Sequence, residues 1–404
     1  MKPGDTREFA GKRILFIVEN LPSPFDHRVW CEATTLRDAG ARVTIICPRG
    51  KGFRKSCEII DGITIYRHPL PEASGAMGYL LEYTTALVLE TLLCLRAFVC
   101  RGFDVIHICN PPDLLFLVAL PYKIAGKKIV FDHHDLNPEL YIAKFGHKGI
   151  FYRLMLFFER LTYLFANQCI ATNASYRGVA LTRGHKLLNQ VEIVRSGPAT
   201  NRMKIMAPVD SHRAGKPLMA GYVGVIGKQE GLQYLVKACS YLVHIKSRTD
   251  IHFCVAGDGP DLLSVKQLAK DERVDDFFTF TGRVSDRILL EILNTADICV
   301  NPDEYNEMND KSTMNKIMEY MALAKPIVQF DLAEGRISAG DSSLYASNND
   351  AIDFAMKILE LINDPAKRRR MGEIGYNRVK NELSWEYQKE PLKKVYRRLF
   401  GSKP

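Results

Sequence analysis

Short apolar runs bounded by charge alternate with longer stretches of helical period along most of this chain. RILFIVEN (13–20) and ARVTIICP (41–48) have the pattern of strands buried on both faces, and FDHRVWCEATTLRDAG (25–40) between them is a helix closed by Gly40. Such a βαβ unit predicts a parallel sheet with helices on both faces. Further strands are expected at ITIYRHPL (63–70), VIHICN (105–110), KKIVFDHHD (127–135), NQCIATN (167–173) and VEIVRSGP (191–198), with helices at 79–100, 112–126 and 149–168. From Ala199 to Lys216 the chain is largely polar, contains Pro208 and Gly215 and has no periodicity, which predicts a linker. A second series follows, with strands LMAGYVGVIG (218–227), IHFCVAGDGP (251–260), FFTFTGRV (277–284), DICVNP (297–302) and PIVQF (326–330) and helices at 231–246 and 285–295. The pattern predicts two doubly wound, Rossmann-like α/β domains, 1–205 and 206–384. An amphipathic segment at 385–404, interrupted by Pro391, is expected to pack back on the first domain.

Chemistry is expected where polar residues break this plan. Ser312, Asn315, Lys316 and Glu319 fall at i, i+3, i+4 and i+7, one face of a helix, while Met314, Ile317, Met318, Met321 and Ala322 take the others. A polar stripe on an otherwise buried helix costs desolvation unless it lines a cleft, meets a ligand or faces solvent. Ser312 or Thr313 would cap this helix, but no Glu or Gln follows three residues later to complete a capping box. Backbone donors are thus left for an anion, and Lys316 would reinforce them. Asp26, His27 and Arg28 lie in the loop after the first strand, where open α/β sheets bind ligands. Gly224, Gly227, Gly257, Gly259 and Gly282 follow strands of the second half, as close approach of backbone to a ligand or a helix requires. Asp132, His133, His134 and Asp135 end the strand at 127–135. Alternation lets one histidine at most face a given site, which favours a hydrogen-bonding histidine over a metal ligand.

With 47% hydrophobic and 25% charged residues, the composition is that of a globular protein rather than a disordered one. The 55 Lys and Arg against 46 Asp and Glu give +9, and residues 1–200 hold +7 of it. That asymmetry suits a phosphate-rich partner or an anionic membrane surface. The ten cysteines form no CxxC pair and no metal-ligand spacing, and are expected to be reduced, buried thiols of a cytosolic protein. The polar start has no signal-peptide core, and no uncharged apolar run is long enough to span a bilayer. No GxGxxG follows the first strand, so a dinucleotide site is not indicated.

Nine segments, in this order and spacing, resemble the family 4 glycosyltransferases over nearly the whole chain: PFDHRVWCEA, VIHICNPPD, FDHHDLNPE, VRSGP, GYVGVIG, VAGDGP, FTGRV, ADICVNP and STMNKIMEYMALAKPIV. These are retaining, nucleotide-sugar-dependent enzymes with the GT-B fold, in which two Rossmann-like domains face a central cleft. The resemblance implies an acceptor-side first domain and a nucleotide-sugar-binding second domain. It implies that Glu319 in MEYMA holds the nucleotide ribose, that His134 contacts the sugar, and that Asp26, His27 and Arg28 face the acceptor. The family's other acidic residue, eight positions before Glu319, is Lys311 here, which leaves the donor-sugar contact to Asp310 or to the turn with Ser312 and Thr313. Val225 and Glu230 replace the basic pair of the family's GRLxxxKG loop, so Lys228, Arg283, Lys311 and Lys316 remain to neutralise a diphosphate. The implied reaction is transfer from a nucleoside diphosphate sugar, expected to be a UDP-sugar, with retention, no required metal and no further cofactor.

Two rival classes are distinguishable. A nucleotide-sugar epimerase on the same fold would carry acidic catalytic residues that the sequence does not place, and a non-catalytic sugar-binding protein would normally be exported. A lipid-linked glycan acceptor, in cell-surface polysaccharide or glycolipid synthesis, is expected from GYLLEYTTALVLETLLCLRAFVCR and IFYRLMLFFERLTYLF. Both join long apolar faces to Arg96, Arg101, Arg153 and Arg160, more apolar surface than one side of a sheet needs, although both could be core helices. The expected setting is therefore cytoplasmic and peripheral, on an anionic membrane face, with no nucleic acid partner.

Overall fold

The computed structural model describes residues 7–70, 75–199 and 202–401, with 75–81 as backbone. The polar start through residue 6, residues 200–201 of the expected linker and residues 402–404 lie outside the described residues. The chain divides into two compact units, Met1–Arg195 with Gln388–Pro404, and Ser196–Tyr387.

The first unit holds an eight-stranded sheet of β1 (Arg13–Val18), β2 (Arg42–Pro48), β3 (Cys57–Ile60), β4 (Ile63–His68), β5 (Val105–Cys109), β6 (Lys128–His133), β7 (Gln168–Ala171) and β8 (Val191–Ile193), in the order β3-β4-β2-β1-β5-β6-β7-β8. Its neighbours are parallel except β3 and β4. Every residue of β4 and β5 is buried, as strands covered on both faces must be. Leu15, Ile17, Ile106, Ile108 and Phe131 form one core with residues of the helices Gly75–Cys100, Phe116–Ile124 and Ile150–Phe165. The C-terminal helix Trp385–Phe400 runs through Pro391 without interruption. Its Leu392, Val395 and Tyr396 are fully buried, and the Tyr396 hydroxyl lies 2.7 Å from His107 Nδ1. This burial outweighs the one helical bond that Pro391 forfeits. Phe9, near the start of the chain, packs on both Tyr396 and Phe400.

The second unit holds β9 (Leu218–Val223), β10 (Ile251–Ala256), β11 (Phe278–Gly282), β12 (Ile298–Asn301), β13 (Ile327–Phe330) and β14 (Ser343–Ala346), parallel throughout in the order β11-β10-β9-β12-β13-β14. Tyr222, Phe253, Val300 and Val328 belong to one core. Met219, Cys254, Cys299 and Ile327 belong to the other, where Ile317, Met318 and Met321 of the helix Asn315–Ala322 join them. Strand order reverses between β9 and β12 in this sheet and between β1 and β5 in the first. Open α/β sheets bind ligands at the carboxyl ends flanking such reversals.

Candidate functional site

At the β9–β12 reversal, Tyr222 comes from β9, Asp303 follows β12, and Lys316 enters from the first turn of the helix Asn315–Ala322. Lys316 Nζ lies 2.7 Å from Asp303 Oδ1 and 3.4 Å from the Tyr222 hydroxyl, 4.8 Å over the tyrosine ring. Burial pushes the Asp303 carboxyl up, and the Lys316 ammonium opposes that shift. The second Asp303 oxygen is buried without a hydrogen-bond partner. The loop after β9 is fastened to the same edge: the Gln229 carbonyl accepts from the Glu304 amide at 3.1 Å and from Asn309 Nδ2 at 2.8 Å. Glu230 accepts from the Gly227 amide at 3.1 Å, and Lys228 between them is exposed.

The helix bearing Lys316 opens at Asn315 with Met314 at its N-cap and no side chain capping it. Met314 thus supplies no side-chain oxygen to the first-turn amides, and Ser312 and Thr313 are not the capping positions expected. Asn306 caps a short preceding helix, Glu307–Lys311, and Ser312 closes it with its hydroxyl 2.7 Å from the Met308 carbonyl. The expected stripe is thus split, with Ser312 outside the helix of Asn315, Lys316 and Glu319. Lys311 Nζ is held 2.7 Å from Glu307, and Asp310 accepts from the Ala333 amide at 2.8 Å, capping the helix Ala333–Ala339. Each has a structural partner that the sequence did not reveal.

Glu319 is paired with neither Lys316 nor Lys325. Arg202 donates to it through Nη1 at 2.8 Å and reaches Asp286 through Nε at 3.1 Å. Burial raises the Glu319 carboxyl and Arg202 draws it back. Lys325 instead donates to the Asn294 and Ala296 carbonyls. Among the strand-end glycines, Gly257 meets backbone of its own unit, whereas a Cβ on Gly282 would have open space around it. A Cβ on Gly257, whose φ is +154°, would lie 1.8 Å from the Gly224 carbonyl oxygen, so the strand-end loops approach one another. Gly257 also donates to the Gly282 carbonyl at 3.0 Å, and Arg283 beyond it is exposed.

In the first unit, Asp26 and Arg28 both have partners within the fold. Asp26 caps the helix His27–Asp38 by accepting from the Val29 amide at 3.2 Å. Arg28 lies in a buried ion cluster, 2.8 Å from Asp132, 3.1 Å from Glu32 and 2.9 Å from the Val194 carbonyl. His27 is exposed. Burial pushes Glu32 well up, whereas for Asp132 the Arg28 and His134 charges overcome burial and hold the carboxyl well below its usual range. His134 Nε2 sits 2.5 Å from Asp132 and 3.0 Å from Arg28 Nε, and its amide donates to Asn110 at 2.6 Å. His133 turns the other way, to the Tyr163 hydroxyl at 2.6 Å. His107, Cys109 and Asp132 bring one ligand atom each within 4.8 Å of one another. Arg28 on the carboxylate, Tyr396 on the imidazole and a thiol pushed well up by burial make this a hydrogen-bonded core cluster.

Sequence reasoning did not single out Asp303, Tyr222, Arg202 or Glu32. Asp303, two residues beyond a strand at the reversal, and Glu32, at i+4 from Arg28, carried a readable signal. Arg202 lay in a stretch without periodicity and carried none.

A family model described as Glycosyltransferase Family 4 matches residues 28–193, and one described as Glycosyl transferases group 1 matches residues 217–364. The chain belongs to the family 4 glycosyltransferases. This glycosyltransferase is 28% identical over 309 residues to alpha-maltose-1-phosphate synthase of Mycobacterium tuberculosis, covering 70% of this chain and 75% of that one. Its fold is GT-B. It matches the solved structure of sucrose-phosphate synthase from Thermosynechococcus elongatus with a TM-score of 0.78 at 18% identity, over 97% of this chain and 100% of that one. Anabaena HepE, solved with UDP and glucose, matches with a TM-score of 0.73 at 14% identity, over 96% of this glycosyltransferase and 100% of HepE.

Proposed function

We propose that this glycosyltransferase moves a sugar from a UDP-sugar to a hydroxyl of a lipid-linked glycan, with retention at the anomeric carbon and without a required metal, in cell-surface polysaccharide or glycolipid synthesis. One observation carries the reading: at the β9–β12 reversal, an uncapped helix start coincides with Lys316, and exposed Lys228 lies on the loop fastened to the same edge. A departing diphosphate would meet backbone donors and ammonium groups there, aimed before its charge develops. Asp303 and Tyr222 hold Lys316 in position for that role. Glu319, oriented by Arg202, would accept from the ribose hydroxyls, and His134, fixed by Asp132 and Arg28, would contact the sugar. In the proposed step the C1–O bond to the diphosphate breaks while the acceptor oxygen bonds C1 on the same face. The acceptor proton passes to the leaving phosphate oxygen. The UDP and glucose in the HepE structure support a nucleotide-sugar donor.

Labelled UDP-sugars incubated with the enzyme and extracted lipid acceptors should give labelled glycolipid and free UDP, with the anomeric coupling of the donor kept in the product. Epimerised donor without transfer would favour the epimerase, and activity abolished by EDTA and restored by Mn²⁺ would reject the metal-free reaction. The product names of the maltose-1-phosphate and sucrose-phosphate synthases favour a second acceptor class, a water-soluble sugar or sugar phosphate. Transfer to such an acceptor, undiminished without lipid, would replace the lipid-linked one.

A further inference from the structure

Three helices of the first unit lie side by side on one face of its sheet. The tilted ring of Phe98 of Gly75–Cys100 packs on Tyr122 of Phe116–Ile124 at 5.3 Å, and Phe116 stacks on Phe165 of Ile150–Phe165 at 5.4 Å. The inner stripe of the first helix, Ala86, Glu90, Cys94 and Ala97, is buried. Its outer stripe, Val88, Leu92, Leu95 and Val99 at i, i+4, i+7 and i+11, is 53% to 76% exposed. From Glu82 to Cys100 this helix has a mean hydropathy of 1.5 and is long and apolar enough to cross a membrane, although the earlier expectation found no spanning run. Its buried Glu90 and its inner stripe keep it a helix of the unit. The other two helices continue the apolar surface with exposed Leu117, Ile124, Ile150, Leu154, Phe157 and Leu164. Monomeric proteins rarely leave so extended an apolar face to water.

The exposed charges described on these three helices are all basic. Glu90 and Glu159 turn inward and are buried, and Glu82 is half-buried, while Arg96, Arg153 and Arg160 are exposed. The whole unit carries 31 Lys and Arg against 19 Asp and Glu, a net +12, and the other unit 24 against 27, a net −3. A pocket of about 570 Å³ opens at the end of the layer, lined by apolar Phe157, Leu161 and Leu164 and by exposed Arg160 and His185, with Lys186 beside them half-buried and donating to the Ala166 carbonyl at 2.6 Å. The loop beside it exposes Leu187 and Leu188. Apolar walls beside an exposed arginine fit a molecule with an acyl chain and an anionic head.

We infer that the first unit docks on an anionic lipid bilayer through this three-helix face, with a lipid headgroup seated at the Arg160 pocket. The inference deepens the lipid-linked acceptor and rests on that reading for its purpose, while the docking itself rests on the surface. A second copy of the chain is the poorer occupant, because a two-fold contact would bring two sets of exposed arginines together. An anionic surface attracts the same residues while the apolar stripes enter the acyl boundary.

The full chain should sediment with vesicles of equal phosphatidylglycerol and phosphatidylcholine, not with phosphatidylcholine alone, and should come off in about 1 M salt, where charge acts over only about 3 Å. The variant Leu92→Ser, Leu95→Ser, Phe157→Ser changes exposed positions alone. It should lose binding by about tenfold or more with its melting temperature and UDP affinity unchanged. Equal uptake by both vesicle types, no uptake at low salt, or undiminished uptake of the variant would overturn the proposal. So would a dimer that this variant dissolves, because a second copy would then cover the face. UDP binding measured without vesicles tests the transferase reading separately, so failure of one is not mistaken for failure of the other.

Discussion

Arg28 and Lys316 are both cations held by a buried carboxylate, and they predict different outcomes. Arg28 is enclosed by Asp132, Glu32 and His134. Breaking a buried pair by removing one partner costs about 3–5 kcal/mol. Arg28→Ala should therefore lower the unfolding free energy of the first unit by that amount in urea titration, and a loss under about 1 kcal/mol would show the cluster to be solvated. Lys316 neutralises Asp303, so Lys316→Met should harm both stability and turnover. Adding Asp303→Asn removes the orphaned charge and should restore the melting temperature but not kcat. A double variant with wild-type kcat would exclude Lys316 from leaving-group stabilisation. Glu319→Ala should weaken UDP binding about tenfold, equivalent to about 1.4 kcal/mol. Arg202→Ala should weaken it less, because it removes the group that orients Glu319 and leaves Glu319 itself in place. Unchanged UDP affinity in Glu319→Ala would remove both residues from the site.

At the scale of elements, the carboxyl end of β1 carries Glu19, 2% exposed, whose carboxyl is pushed up to about 8 by burial, with the charges of Glu90 and Glu82 adding to it. A group that holds its proton in the folded chain and releases it near 4.3 when unfolded contributes stability that is lost as pH rises. The loss should run from about pH 4.5 to about 8, at about 1.4 kcal/mol per unit. Glu19→Gln should flatten that slope in melts between these limits, and parallel curves for both proteins would contradict it. The buried strands were legible because covering both faces leaves an unbroken apolar run, as in β1, β2, β5 and β6. The half-exposed β3 was not, since Glu58 interrupts its short apolar run and the strand, with Cys57 and Ile59 exposed, is not covered on both faces. The helices Asn137–Phe145 and Leu262–Asp271 were missed for the related reason that each buries only two residues. For the site, the position of Lys316 and Glu319 on one helix was legible from spacing, whereas their partners Asp303 and Arg202 come from loops with no period to follow.

On the scale of the whole molecule, the first unit is completed by the last segment of the chain. Residues 388–404 supply buried Leu392, Val395 and Tyr396, and the Tyr396 hydroxyl meets His107 at the centre of the sheet. Truncation after Tyr387 should expose that core, lower the melting transition of the first unit and leave UDP affinity of the second unchanged. A truncated protein that melts like the full chain would show the helix to be dispensable.

The same discontinuity fixes an order of events during synthesis. Ribosomes release the chain from its amino end, so β1 through β8 emerge well before Tyr396 does. The 192 residues of Ser196–Tyr387 must be translated in between, roughly 10–40 s at about 5–20 residues per second. The later unit can thus close first, on a nascent chain whose earlier unit still lacks a wall. During that interval His107 and Phe9 await their partner, and a holding chaperone would have its greatest effect on yield.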